Sequence, residues 1–469
     1  MENMFSAGFA RVDITPPLGS YMPGYYQDRR AKKVLDPLQI NCVAFADGEE
    51  TALVMQFDCE ALSDVVAGAM RDAIVKATGV KRDAIFLHAS HTHDGGYLAM
   101  NSTHGSSGTS GDGVPSNATE IDYIYVNMAT TRAADAAVAA IADLKPARLS
   151  CGRSEAKRIT FGRRYLMKSG KVMTNPGTNN PDIVKPVGNP PDEQVQVLRI
   201  DREGAKSIAV INFQTHPDVV GGETLTADWP GLTRAVFEAA TMGEAFSLVI
   251  NGTQGDVNHC NVMPKPGELN GLKRDFDDVD RGYDHARHMA NVITAAALNV
   301  WLKCAPLEAG KIKFATGSVR VPSNRAKPGD EKDLAWAEKV WATHEAGKDA
   351  ELPWKGMELT TEVARAGRIR RLKDGPDFFD LPLFTLAIGK SVAFGGFPGE
   401  PFNDIGKAVK AKSPFALTIC ACLTNGSRGY FPFSDSFKED GYEAATSPFG
   451  PTVADDLIAG QLAQLNKIY

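Results

Sequence analysis

Short apolar runs alternate with Ala-rich helical patterns along most of the 469 residues, and this alternation restricts the fold more than any other feature. "INCVAFAD" (40–47), "TALVMQFD" (51–58), "DAIFLHAS" (83–90), "SIAVINFQ" (207–214), "FSLVINGT" (246–253) and "LFTLAIGKSVAFGG" (383–396) are rich in β-branched and aromatic residues and short enough to be buried strands. Between them, 63–79, 122–144, 231–243 and 284–303 carry helical spacing with Ala and Leu filling one face. The second of these stops at Lys145-Pro146, a helix-ending signal. Helices covering buried sheets predict an α/β or mixed α+β body. The sequence shows no internal repeat and no clear linker, so one large body spanning 1–469 is expected.

Three segments interrupt the alternation. Residues 101–120 are Gly/Ser-rich and polar, as in a surface loop. Residues 173–193 are rich in Pro, Asn and Gly, and a loop that long inside a compact body usually serves function. Residues 324–375 read as a charged helical insert carrying Trp336, Trp341 and Trp354.

Charge and targeting features narrow the class of partner. Lys and Arg total 51 against 57 Asp and Glu, a net charge of −6 without a basic cluster, which argues against nucleic acid. No stretch approaches a membrane span, and "MENMFSAGFARVDITPP" has neither a cationic nor an apolar leader region. The expectation is a cytoplasmic protein that acts on a small molecule, away from the membrane. Seven scattered cysteines without C-x-x-C spacing fit reduced thiols better than disulfides or a cysteine zinc site.

Chemistry gathers where predicted strands end. "LHASHTHDGG" (87–96) places His91 and His93 two positions apart, ahead of Gly95 and Gly96; if the chain stays extended there, both imidazoles face one point. "VINFQTHPDVVGG" supplies His216, "LVINGTQGDVNHCN" supplies Gly255, Asp256, Asn258 and His259, and "VAFGGFPGEPFND" supplies Glu400. Sites in open α/β sheets assemble at such strand ends. Two imidazoles and a carboxylate are the ligand set of a catalytic zinc with an open position, although a lone His at a strand end is more often structural. His104 falls in the polar loop, and His285, His288 and His344 read as helix-surface residues.

Seven motifs occur in an order that resembles the neutral, non-lysosomal ceramidase family: "GFARVDITPPLGSYMPGY", "DPLQINCVAF", "SHTHDGG", "INFQTHPDVV" followed by "TADWPG", "NGTQGDVN", "FPGEPFNDIG" and "GYFPFSDSFKEDGYEAATSPFGP". The resemblance implies one Zn²⁺ held by His91, His216, Glu400 and Tyr430, with His93 as general base. It implies Tyr442 and an arginine, Arg163 or Arg164, as catalytic or substrate-binding donors. The residue types suit that division, since one imidazole can hold an ion while its neighbour moves a proton, and Tyr and Arg can stabilise an oxyanion. Gly95 and Gly96 are expected to admit close approach of substrate, with Asn258 and His259 beside it.

The departures bear on substrate. "GDVNHC" puts Asn258 where the family has a head-group serine, and the expectation is a protein without the family's C-terminal immunoglobulin-like domain and without its secretion signal. The reading is therefore a zinc-dependent hydrolase of an amide (N-acyl) bond in a small or medium polar substrate. Alternatives are a metal-dependent hydrolase or lyase of a sugar-derived or ester substrate, an intracellular ceramidase, and a non-catalytic binding protein.

Overall fold

The computed structural model describes residues 5–25, 28–99, 118–265, 268, 281–325 and 331–469. Most of the expected loop 101–120, including His104, lies outside the described residues. The predicted mixed α/β architecture is observed, and every predicted strand and helix is found within a few residues of its expected limits. One needs correction: 383–396 is two strands, Phe378–Ile388 and Val392–Gly396, paired antiparallel around Gly389, whose φ of +56 suits glycine.

The topology contains a repeat that the sequence conceals. A unit of three antiparallel strands, a crossover helix, a fourth strand parallel to the third, and a helix lying back across the first strands occurs three times. The first copy comprises Ser6–Asp13, Gln39–Ala46 and Thr51–Phe57, helix Asp64–Thr78, strand Ile85–Ala89 and helix Glu120–Ala142. The second comprises Lys145–Glu155, Gln194–Arg202 and Ser207–Phe213, helix Asp228–Ala240, strand Ala245–Asn251 and helix Tyr283–Trp301. The third comprises Ile312–Pro322, Phe378–Ile388 and Val392–Gly396, helix Asn403–Lys412, strand Leu417–Ala421 and helix Val453–Ile468.

Copies one and two join through their first strands, at Ser6–Pro146 and Ala7–Lys145, into a nine-stranded sheet that also takes in Ala305–Leu307. The third copy keeps a separate four-stranded sheet. Ile40 through Phe45 are all buried, which explains why these strands read as continuous apolar runs rather than alternating ones. Local signals set the helix limits: Ser63 accepts from the Val66 amide at one end of Asp64–Thr78, and Gly79 closes the other at φ +74.

The fourth strands bring the copies together. His88 Nδ1 lies 2.8 Å from the Cys422 carbonyl, and its Nε2 accepts from the Asn251 amide at 3.0 Å, so one ring bridges a residue from each other copy. Cys422 N in turn donates to Asn251 O at 3.2 Å. Residues that follow the inner strands therefore converge despite their separation in sequence. The connectors between first and second strands, 14–38, 156–193 and 323–377, occupy equivalent places in the three copies. The loop 173–193 and the insert 324–375 thus belong to two of three matched connectors. The insert folds as helices Glu331–Glu345 and Gly356–Leu372 around a small core containing Ala337, Val340, Val363 and Ile369.

No described helix is long and apolar enough to cross a membrane. None of the seven cysteines, all among the described residues, forms a disulfide.

Candidate active site

The strand Ile85–Ala89 ends before the histidine pair, and His91 takes a left-handed φ of +75, so the extended chain expected at 91–93 is not found. Such a conformation costs a non-glycine residue about 1–3 kcal/mol. Backbone partners hold it: His91 N donates to Cys59 O at 2.9 Å, and His91 Nδ1 lies 2.9 Å from Glu60 O. The turn still aims both rings inward, leaving His93 Nε2 3.2 Å from His91 Nε2.

His216 follows the third strand of the second copy, and its Nδ1 lies 3.0 Å from Gln254 O. Glu400 follows the third strand of the third copy, where a short parallel pairing sets Glu400 beside Tyr430. Because carbonyls occupy the Nδ1 side of His91 and His216, both rings carry a proton on Nδ1 and turn Nε2 inward. His91 Nε2 and His216 Nε2 are 3.3 Å apart, and each is 3.2 Å from Glu400 Oε2. These separations match one face of a tetrahedron whose corners stand about 2.0 Å from its centre, the bond length zinc takes.

A cation among them, a metal ion or a proton on His91, satisfies three ligand atoms that face one another. With no metal ion bound, burial resists protonation of His91 but Glu400 outweighs it, lifting the imidazole to about 9. Burial and the Arg163 charge press His216 down to about 4. Burial would raise the Glu400 carboxyl, yet the two imidazoles hold it well below the carboxylate range. Glu400 Oε1 is buried without a partner among the described residues, a further vacant donor atom. The donor set thus fits a zinc ion. His91, His93 and His216 also form a trio whose ring nitrogens lie within 4.8 Å of one another, with His93 Nε2 3.2 Å from His91 Nε2. Tyr430 Oη lies 3.5 Å from His216 Nε2, at the margin of the same cluster.

His91 and Glu400 lie wholly buried beneath a cavity of about 660 Å³ that exposes His93, Arg163, His216, Tyr430 and Tyr442. Burial holds the His93 imidazole well below its usual range, with Asp218 opposing, so the ring is neutral. The question of which arginine faces the site is resolved by position: Arg163 Nη1 reaches to 3.2 Å from His216 Nε2, and its plane stands 5.4 Å from the Tyr430 ring. Arg164 instead pairs with Glu439 and packs over Phe402.

Other expected residues take different places. A Cβ on Gly96 would stand 2.4 Å from the Tyr125 ring, and one on Gly95 would stand 3.0 Å from Cys59 Cα, so both glycines permit the protein to pack on itself rather than admit substrate. Asn258 sits one residue behind the cavity, donating at 2.8 Å to Asn175, which lines it. His259 is buried edge-on against His285 at 5.1 Å, which also corrects the helix-surface reading of His285. His344, likewise expected on a helix surface, lines the cavity and lies 2.9 Å from Asp349.

Several residues in or behind the cavity wall escaped the sequence. Glu443 is fully buried and accepts from Arg163 Nε at 2.7 Å and from Thr174 Oγ1 at 2.9 Å. Its position directly after Tyr442 was the available signal. Asp218 follows His216 by two residues and pairs with Arg281 and Tyr25. All three matched connectors line the cavity, through Tyr25 and Arg29, through Arg163 and Asn175, and through the helix Gly356–Leu372.

No family model matches the chain, and no curated protein matches it in sequence. Among solved structures, the neutral ceramidase from Pseudomonas aeruginosa superposes at a TM-score of 0.70 with 16% identity, covering 99% of this chain and 74% of that one. A ceramidase complexed with C2 superposes at 0.66 with 15% identity, covering 98% and 75%. The chain has the neutral ceramidase fold. The likeness expected from scattered motifs is therefore present in three dimensions, and the ceramidase-like body extends over nearly the whole chain.

Proposed function

We propose that this chain is a zinc-dependent hydrolase of amide bonds, with His91, His216, Glu400 and Tyr430 holding the ion. The observation that carries the reading is the set of three acceptor atoms, His91 Nε2, His216 Nε2 and Glu400 Oε2, at 3.2–3.3 Å from one another with their outer sides fixed by the backbone. When bound, zinc supplies Lewis acidity to water and to a carbonyl oxygen.

The chain's own groups account for the rest. His93, neutral and facing the cavity, takes a proton from the attacking water and returns it to the departing amine. Arg163 and Tyr442 offer donors to the carbonyl oxygen as it gains charge. Arg163 is held for that task by Glu443 and by the Gly255 carbonyl at 2.8 Å. The fold neighbours are named for cleavage of ceramide, itself an amide. The lining sets His93, Arg163, Asp218 and Arg281 beside Met357, Leu359 and Val363, and its polar groups are the support for a small or medium polar substrate.

Metal analysis of the purified protein, followed by a hydrolysis screen of N-acyl compounds, esters and glycosides, tests this. One zinc per chain and amide hydrolysis abolished by a chelator are expected. A metal-free protein with undiminished activity, or turnover of glycosides or esters alone, would refute it.

A further inference from the structure

Asn251 ends the fourth strand of the second copy and lies fully buried where the three copies meet. Its main chain joins the other two copies, since the amide donates to His88 Nε2 and the carbonyl accepts from Cys422 N. Its side chain reaches elsewhere. Nδ2 donates to Ser90 O at 3.0 Å, and Oδ1 accepts from Thr215 N at 3.3 Å. Ser90 immediately precedes His91, and Thr215 immediately precedes His216.

One carboxamide thus spans the two chain segments that carry the paired imidazoles. His91 follows the strand at one end of the nine-stranded sheet, and Asn251 closes the strand at the other end, so among the described residues no ladder pairing joins them directly. Beyond the ligand histidines the two segments meet again, where His93 N donates to Pro217 O at 3.0 Å. His91 and His216 therefore stand between two rungs, and the first of these runs through a side chain. Asparagine suits the place because its head group offers a donor and an acceptor together, whereas an ionised aspartate has no donor and a leucine has neither. Ser90 and Thr215 are both fully buried, so an unmatched replacement leaves a carbonyl and an amide without their bonds.

Two kinds of support act on the pair. Glu60 O and Gln254 O, behind the Nδ1 atoms, set how each ring is turned. The carboxamide sets how far apart the two segments stand, and hence the 3.3 Å between His91 Nε2 and His216 Nε2. Resting on the zinc-hydrolase reading above, we infer that Asn251 is a positioning residue for the metal site, holding the segments of His91 and His216 at the spacing one ion needs without being a ligand itself.

The test uses the full chain freed of metal and titrated with zinc, and separately with cobalt(II), whose visible absorption reports coordination geometry. Asn425 supplies the control. It is buried at the same junction and uses its carboxamide in the same way, accepting from Leu87 N at 2.9 Å and donating to Ile85 O at 3.2 Å, but these partners lie within the strand Ile85–Ala89 rather than next to a metal histidine. Asn251→Ala should weaken zinc binding by about 10–100-fold, the usual effect of losing a group that orients metal ligands, and should alter the cobalt spectrum. Asn425→Ala should keep the wild-type zinc affinity and spectrum, even where urea unfolding shows it destabilised. Should Asn251→Ala not fold, Asn251→Ser, which leaves a hydroxyl for one of the two partners, is read in the same way. Wild-type affinity and spectrum in the Asn251 variant overturn the inference, and so does equal weakening in the Asn251 and Asn425 variants, which would assign the spacing to the junction as a whole. A wild type that binds neither zinc nor cobalt overturns the zinc reading itself, and this inference with it.

Discussion

Replacing His88 by Gln should make the stability of the protein less sensitive to acid, by an amount that the structure sets. The His88 ring is fully buried where the three copies meet, with Nε2 accepting from Asn251 N and Nδ1 facing the Cys422 carbonyl. An Nε2 that accepts cannot be protonated without breaking that bond. Burial, aided by His91 and opposed by the Cys422 carbonyl, depresses its pKa to about 4, against about 6.5 in an unfolded chain. The folded state therefore holds fewer protons than the unfolded one between these values. The stabilising contribution is complete above about pH 6.5 and is lost as pH falls toward about 4. A gap of roughly 2.5 units corresponds to about 3 kcal/mol in all, of which about 2 kcal/mol is gone by about pH 5. Urea unfolding of wild type and His88→Gln, both with chelator present, reads the effect as a difference between the two proteins. The variant should be less stable near pH 7.5, and the gap should close by about 2 kcal/mol near pH 5. A gap that stays constant across this range would show that His88 does not bridge the copies as a neutral ring.

Further expectations concern the site and its surroundings. Because His91 is held protonated to about 9 without an ion, zinc binding near pH 7 should release about one proton; calorimetry in buffers of different ionisation enthalpy reads it, and zero release would contradict the acceptor cluster. Glu443→Gln should lower kcat by about 10²–10³ with metal content unchanged, since Arg163 loses the carboxylate that aims it; an unchanged kcat would mean Arg163 needs no such support. Gly96→Ala should destabilise the fold by about 1–3 kcal/mol through overlap with Tyr125, leaving KM unaltered; a raised KM at wild-type stability would restore the substrate-approach role.

The elements were largely legible because strands covered on both faces read as apolar runs and helices carry one apolar face. The threefold repeat was not, since the residues through which the copies meet, such as His88, Asn251 and Cys422, share no side-chain type. The metal-binding candidates could be chosen from motif order, but their meeting depends on how the third and fourth strands of the three copies pack together, which no local pattern encodes. His91 shows the limit well. The pair was expected to converge through an extended chain, and it converges through a left-handed turn held by Cys59 and Glu60. Gly95 and Gly96 were assigned to substrate because a glycine pair beside histidines suggests close approach, whereas the closely approaching groups are Cys59 and Tyr125. The insert 324–375 revealed its helices through composition, but not that one of them walls the cavity, because that follows from its contact with Tyr430 and Tyr442.

The division between His91 and His93 is the centre of the account, and paired metal and activity measurements on their alanine variants test it most directly. His91→Ala should lose both zinc and activity, since it removes one of three atoms spaced at 3.2–3.3 Å. His93→Ala should keep zinc while its rate falls by about 10²–10⁴, the contribution of a positioned general base, and the acid limb of its pH profile should change. Equal loss of zinc from both variants would make His93 a ligand, and full activity in His93→Ala with zinc bound would contradict the mechanism.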